Sequence, residues 1–192
     1  MTISLGRPTT NSKRPIETPE DMKGLNFRVI DVPAVVAFMK AFGASAVPTS
    51  MAELYMSLQN GTVDGQENPL DTILSRALFE VQDYLSITDH IWSFSVFAAN
   101  GDFWDTLTDE QRTLLRECAI EASRYIKELA PKVDENAYDK LVNEHKMKVN
   151  KLTDEQWLEF QKVAKSVWKE MEPTIGSDIL SAYMSDLGLT WD

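Results

Sequence analysis

The 192-residue chain is short of cations and of cysteine, and it contains no long apolar run. Lys and Arg number 19 against 30 Asp and Glu, a formal net charge of −11. Such a surface repels nucleic acid and anionic lipid, because phosphate binding needs clustered cations. A single cysteine, Cys118, excludes an internal disulfide and a thiolate metal cluster, and leaves the redox compartment open. No stretch approaches the roughly 18 consecutive apolar residues of a membrane span. The opening residues Met1 to Pro8 have no cationic region followed by an apolar run, so they do not read as a secretory signal. Chemistry-bearing motifs are missing as well: there is no Walker loop, G-x-G-x-x-G, H-E-x-x-H or G-x-S-x-G. His90 and His145 lie far apart and in no metal-ligand spacing, so neither a metal nor a cofactor is expected. Cys118 could pair with a histidine on paper. It falls on the apolar face of a helix, however, where a free cysteine is usually a small hydrophobe. Nothing supports an enzyme.

What is present is ordinary globular material, 43% hydrophobic with 8 Gly and 8 Pro, and enough chain to bury a core. The front half mixes short strands with short helices. Residues 25–30 read as a strand opened by Gly24, and 32–42 as a helix stopped by Gly43. Residues 44–47 read as a second strand ended by Pro48. Ser50, with Glu53 completing a capping box, is expected to start a helix that runs to about Asn60. This alternation predicts α/β units and a largely parallel sheet. Residues 84–88 and 91–98 read as extended. After Gly101 the pattern turns helical: Thr108 caps a long helix running toward Lys146, with Pro131 as an expected kink or break. Thr153 caps another, through about Met171. The helix from Thr108 toward Lys146 is longer than one compact layer needs and could bridge two bodies.

Two features suggest a site. The run Gln59-Asn60-Gly61-Thr62-Val63-Asp64-Gly65-Gln66-Glu67-Asn68-Pro69-Leu70 gathers two glycines, carboxylates, amides and a proline, either as a surface turn or as backbone bent to aim polar groups. Arg28 lies inside the apolar strand Phe27-Arg28-Val29-Ile30, where an unpaired cation is expensive to bury. It either pairs with a buried carboxylate of the protein or faces a cleft and awaits an external one.

Pro19-Glu20-Asp21-Met22-Lys23-Gly24-Leu25-Asn26-Phe27-Arg28-Val29, then Glu53-Leu54-Tyr55, Val63-Asp64-Gly65-Gln66-Glu67-Asn68-Pro69 and Thr88-Asp89-His90 follow one another in a recognisable order. In these runs the chain resembles the DctP-type solute-binding proteins of tripartite ATP-independent periplasmic (TRAP) transporters, closely over the front half and loosely over the helical rear. The resemblance implies the second lobe of a two-lobed α/β periplasmic-binding-protein-like fold, with a long lobe-crossing helix and a helical C-terminal region. Residues 1–92 would form the second-lobe ligand-binding portion. Residues 93–132 would be part of the first lobe and the start of the crossing helix, and 133–192 the return to the second lobe. It implies capture of a small organic acid (a sugar acid, dicarboxylate or 2-oxo acid), delivery to a membrane permease, a periplasmic location and a monomer when full length. Arg28 matches the family's carboxylate clamp, a planar guanidinium donating two parallel hydrogen bonds worth roughly 1.5–3 kcal/mol each. Asn68 matches a donor to the ligand, and Arg7 falls within a residue of a second ligand-contacting arginine. Asp64, Glu67 and Glu53 are expected to brace the loop, His90 to act at a hinge or in packing, and Tyr55 to be core. Thr49 and Met51 stand where the family commonly has a methionine and then an aromatic lining the pocket. A signal and most of a first lobe would precede the position matching Met1, so the chain is expected to be a C-terminal portion that binds weakly. The rival expectations are a standalone helix-rich interaction domain and an α/β enzyme.

Overall fold

The computed structural model describes residues 2–189, without the side chains of residues 2–5, 93 and 94. Among these residues a six-stranded sheet has the order β4-β3-β5-β2-β6-β8, and a separate antiparallel pair joins β1 to β7. The strands are β1 (Thr2–Gly6), β2 (Thr9–Asn11), β3 (Asn26–Val29), β4 (Ser45–Pro48), β5 (Gly65–Glu67), β6 (Tyr84–Ile87), β7 (Trp92–Ser95) and β8 (Lys148–Lys151). The helices are α1 (Pro33–Ala41), α2 (Leu54–Gln59), α3 (Leu70–Ser75), α4 (Gly101–Asp105), α5 (Asp109–Asp139), α6 (Asp154–Ile175) and α7 (Ser177–Asp186).

The sheet is mixed, not largely parallel. β3 runs parallel to β4 and β5, and β6 parallel to β8, but β2 is antiparallel to both its neighbours and joins the halves. Hydropathy hides β2, since Thr9-Thr10-Asn11 is polar, yet all three residues are buried. Hydrogen bonds to the side chains of Thr10 and Asn11 offset the cost of burying so polar a strand. Asn11 illustrates this: its Oδ1 accepts from the amides of Lys13 and Arg14, and its Nδ2 donates to the Arg14 carbonyl.

Two apolar clusters flank the sheet. Phe27 and Val29 pack with α1, Ile16 and Phe160 in one; Leu85 packs with Leu54, Leu58, Ile73 and Leu141 in the other. Successive strand side chains point to opposite faces, so Arg28 leaves the Phe27/Val29 core and lies beside Val47, its partner on β4. Gly65 opens β5 in a crowded place. A Cβ there would stand 2.5 Å from the Thr10 carbonyl oxygen and 2.9 Å from Phe27 Cζ. Gly65→Ala is therefore expected to lower unfolding free energy by about 2–3 kcal/mol, read as a shift in urea midpoint.

Three local expectations need correction. Ser50 does not cap α2: residues 51–53 form a turn, Glu53 is the residue before the helix, and the Ser50 hydroxyl donates to the Glu53 carboxylate instead. Pro131 does not break α5, whose assignment is continuous through it and which closes with a π-helical turn, Lys140–Glu144. Residues around Pro131 are exposed, so water can take the carbonyl that loses its amide partner. Cys118 is exposed rather than packed. The reason is wider than one residue: Leu114, Leu115, Ile120, Tyr125, Ile126, Leu129 and Val133 of α5 are also exposed, and only Ala137 of that helix is buried. The caps at Thr108 and Thr153 form as expected, each hydroxyl accepting from the amide three residues on, although α6 extends to Ile175.

Candidate functional site

The bends between β1 and β2, the centre of β3, and the end of β5 bring Arg7, Arg28, Glu67 and Asn68 together at the middle of the sheet. Arg28 is 2% exposed and one of the largest fully buried side chains. Its Nε donates to the Thr49 carbonyl at 2.8 Å, which fixes the plane of the guanidinium. Its Nη1 is buried and has no partner among the described residues. Burial lowers the Arg28 pKa from its ordinary value, Arg7 adds to that, and Glu67 opposes it. A guanidinium nonetheless stays charged. Of the two readings left open for Arg28, the structure shows no ion pair to a protein carboxylate among the described residues.

Arg7 is engaged differently. It forms an ion pair with the Glu67 carboxylate through Nε. Its Nη2 donates at 3.2 Å to the Glu67 carbonyl, to Glu67 Oε1 and to Asn68 Oδ1. Glu67 therefore braces the Arg7 side chain, where the expectation was a brace for its own loop. Desolvation raises its pKa to about 7, against the opposing charges of Arg7 and Arg28. Asp64 braces too, its Oδ2 accepting from the Asn26 amide at 2.8 Å. His90 approaches from the segment joining β6 to β7. Its Nδ1 bonds Thr88 Oγ1 at 2.8 Å, its ring stands edge-on to Phe42, and its Nε2 is buried without a partner. Burial, helped by the charge of Arg7, pushes its pKa down to about 4. Tyr55 is half-buried against the second cluster, and its hydroxyl donates to Glu80.

Sequence reasoning misses four residues that hold this site: Thr10, Gln66, Gln82 and Thr88. All are buried polar side chains. Thr10 is signalled by the run of uncharged polar residues where a central strand has to lie, Gln66 and Thr88 stand inside runs already singled out but without a role, and Gln82 has no signal. At Thr49 it is the backbone carbonyl, not the side chain, that orients Arg28. Among the described residues no group of His, Cys, Asp and Glu could hold a metal ion, and no helix is long and apolar enough to cross a membrane.

The buried Arg28 with its unpartnered Nη1, together with the Arg7–Glu67–Asn68 cluster in the same α/β sheet, is the candidate site. The chain belongs to the DctP family, bacterial extracellular solute-binding protein family 7, whose profile matches residues 6–174. It is 32% identical over 186 residues to the ectoine-binding periplasmic protein TeaA of Halomonas elongata, covering 95% of this chain and 54% of that protein. It is 37% identical over 133 residues to the 2,3-diketo-L-gulonate-binding periplasmic protein YiaO of Escherichia coli, covering 69% of this chain and 40% of YiaO. The solved structure of the H. elongata ectoine-binding protein of the TeaABC TRAP transporter superimposes with TM-score 0.88 at 30% identity, over 97% of this chain and 62% of that one. A TRAP periplasmic solute-binding protein from Chromohalobacter salexigens with bound D-glucuronate gives 0.88 at 26% identity, over 96% and 60%. The chain thus spans about half the length of these curated relatives. The family consists of substrate-binding proteins of transporters, not enzymes, and its members are periplasmic.

Proposed function

We propose that the chain takes part in capturing a small organic acid (a sugar acid, dicarboxylate or 2-oxo acid) by its carboxylate, for delivery to a TRAP permease in the periplasm. The observation that carries this is the unpartnered Nη1 of a 2%-exposed arginine. A buried guanidinium N–H left without an acceptor is costly, and an external carboxylate would complete it. In this reading Arg28 is the clamp, Asn68 a second donor, and Arg7 a contributor through Asn68 and its own guanidinium. Relatives support the class of solute: structures in the family carry D-glucuronate and β-D-galacturonate, the latter in a Sulfitobacter protein. The chain's net charge of −11 provides no general pull on anions, so selectivity rests on these placed donors.

The exposed apolar face of α5 supports a second part of the reading, that residues 93–132 belong to a first lobe whose core further polypeptide completes. Affinity of the isolated chain would then be weak, because half the cleft comes from that lobe. Isothermal titration against succinate, D-glucuronate, D-galacturonate and 2-oxo acids tests the function. Saturable 1:1 binding of at least one acid is expected. A folded chain that binds none, both alone and with a relative's first lobe fused ahead of it, would sink the proposal.

A further inference from the structure

Behind Asn68 lies a chain of buried side chains whose hydrogen bonds can run in only one direction. Gln82 Nε2 donates to two backbone carbonyls, Val81 at 2.8 Å and Asp64 at 3.3 Å. Carbonyls only accept, so the Gln82 amide cannot flip, and its Oε1 is left to accept from the Thr10 hydroxyl at 2.9 Å. With its hydrogen committed, Thr10 Oγ1 accepts from Gln66 Nε2 at 2.8 Å. Gln66 Oε1 then accepts from Asn68 Nδ2. At the far end Arg7 Nη2, which can only donate, meets Asn68 Oδ1 at 3.2 Å. Both ends impose the same polarity. Reversing any amide would set donor against donor or acceptor against acceptor at sites no more than 3% exposed, where an unmade hydrogen bond has no water to replace it.

We propose that Thr10, Gln66 and Gln82 are positioning residues: they hold the Asn68 amide so that its oxygen is spent on Arg7 and its remaining N–H is presented as a donor. The inference rests on the reading that Arg28 and Asn68 receive the solute's carboxylate. With Arg28 Nη1 it makes both groups offered to the solute's carboxylate donors. Such a site accepts a carboxylate and rejects the matching primary amide, whose NH₂ would face N–H groups. Specificity for an acid over its amide is thereby set from strands β2 and β5 and the segment before β6, none of which need touch the solute.

The test uses the full chain, ¹⁵N-labelled, with Thr10→Val, Thr10→Ser and Gln82→Met. Side-chain amide hydrogen exchange at Asn68 and Gln66 reads the relay with no ligand present. Thr10→Val and Gln82→Met are expected to speed it at least tenfold, and Thr10→Ser, which keeps the hydroxyl, to restore it. D-Glucuronate affinity should fall about tenfold in the two broken variants, and the preference for D-glucuronate over D-glucuronamide should shrink with it. Unchanged exchange in both broken variants, each shown folded by circular dichroism, overturns the relay. Faster exchange with wild-type affinity and preference overturns its positioning role. If wild type binds no acid at all, the carboxylate reading falls and takes that role with it, while the exchange data still decide whether the relay exists. Because either of two variants at different links breaks the chain, failure of one to fold leaves the other to decide.

Discussion

Arg28→Ala is expected to weaken carboxylate binding at least 100-fold, measured by isothermal titration against whichever organic acid the wild-type chain binds best. Two charge-assisted hydrogen bonds from one guanidinium contribute roughly 3 kcal/mol or more between them, which corresponds to that factor. Arg28→Lys should lose nearly as much. An ammonium cannot both donate to the Thr49 carbonyl and present a flat pair of N–H groups to the solute. The same physics predicts a gain elsewhere. Without solute, wild type holds a desolvated cation whose Nη1 has no partner. Arg28→Met, similar in reach but apolar, should therefore unfold at the same or a higher urea concentration than unliganded wild type. Lost binding together with undiminished stability is the signature of a residue kept for its ligand. Wild-type affinity in Arg28→Ala would mean that the carboxylate is held elsewhere.

Glu67→Gln and His90→Gln are expected to tilt stability against pH in opposite directions. Glu67 is lifted from 4.5 to about 7 in the folded protein, so the folded state holds its proton more tightly than the unfolded chain. That contribution is full below pH 4.5 and is lost as pH rises through about 7. His90 is lowered from 6.5 to about 4, so folding resists its protonation. That contribution is full above pH 6.5 and is lost as pH falls through about 4. In wild type the two oppose each other across most of the same window. Removing Glu67 deletes the part that falls with pH, so stability relative to wild type should rise from pH 4.5 to 7. Removing His90 should make the relative stability fall between pH 4 and 6.5. Each tilt should be on the order of 2–3 kcal/mol across its window. Asp134, pushed up to about 6 by burial and by Asp89 and Asp71, titrates in every variant and cancels in the difference. Urea denaturation at unit pH steps from about 4 to 8 supplies the profiles. Two flat difference curves would show that neither group is perturbed by its burial.

Much of the fold is legible in the sequence. Apolar runs bounded by Gly24, Gly43 and Pro48 mark β3, α1 and β4 to within a residue or two, because backbone punctuation is a local property. Thr108 and Thr153 with their glutamines announce α5 and α6 for the same reason. Arg28 stands out as a cation in an apolar strand, and the D-G-Q-E-N-P run as its companion. Ser50 misleads, since a capping box read from spacing cannot tell a helix start from the turn that precedes one.

The amino-acid sequence by itself thus determined the α/β class of the fold and marked Arg28, because propensities, caps and an out-of-place charge act over a few neighbours. The family, and with it Arg7 and Asn68 as candidates, came from the resemblance of whole runs of residues to known solute-binding proteins. Only the tertiary structure decided that Thr9-Thr10-Asn11 is the central strand, that Glu67 belongs to Arg7 while Arg28 keeps an unpartnered nitrogen, and that Gln82 bears on Asn68 through Thr10 and Gln66. Those are contacts between residues 56 to 72 positions apart. Polarity there follows from which donors and acceptors each buried group has already committed to its neighbours. That is a balance over the whole sheet, and no local stretch of sequence records it.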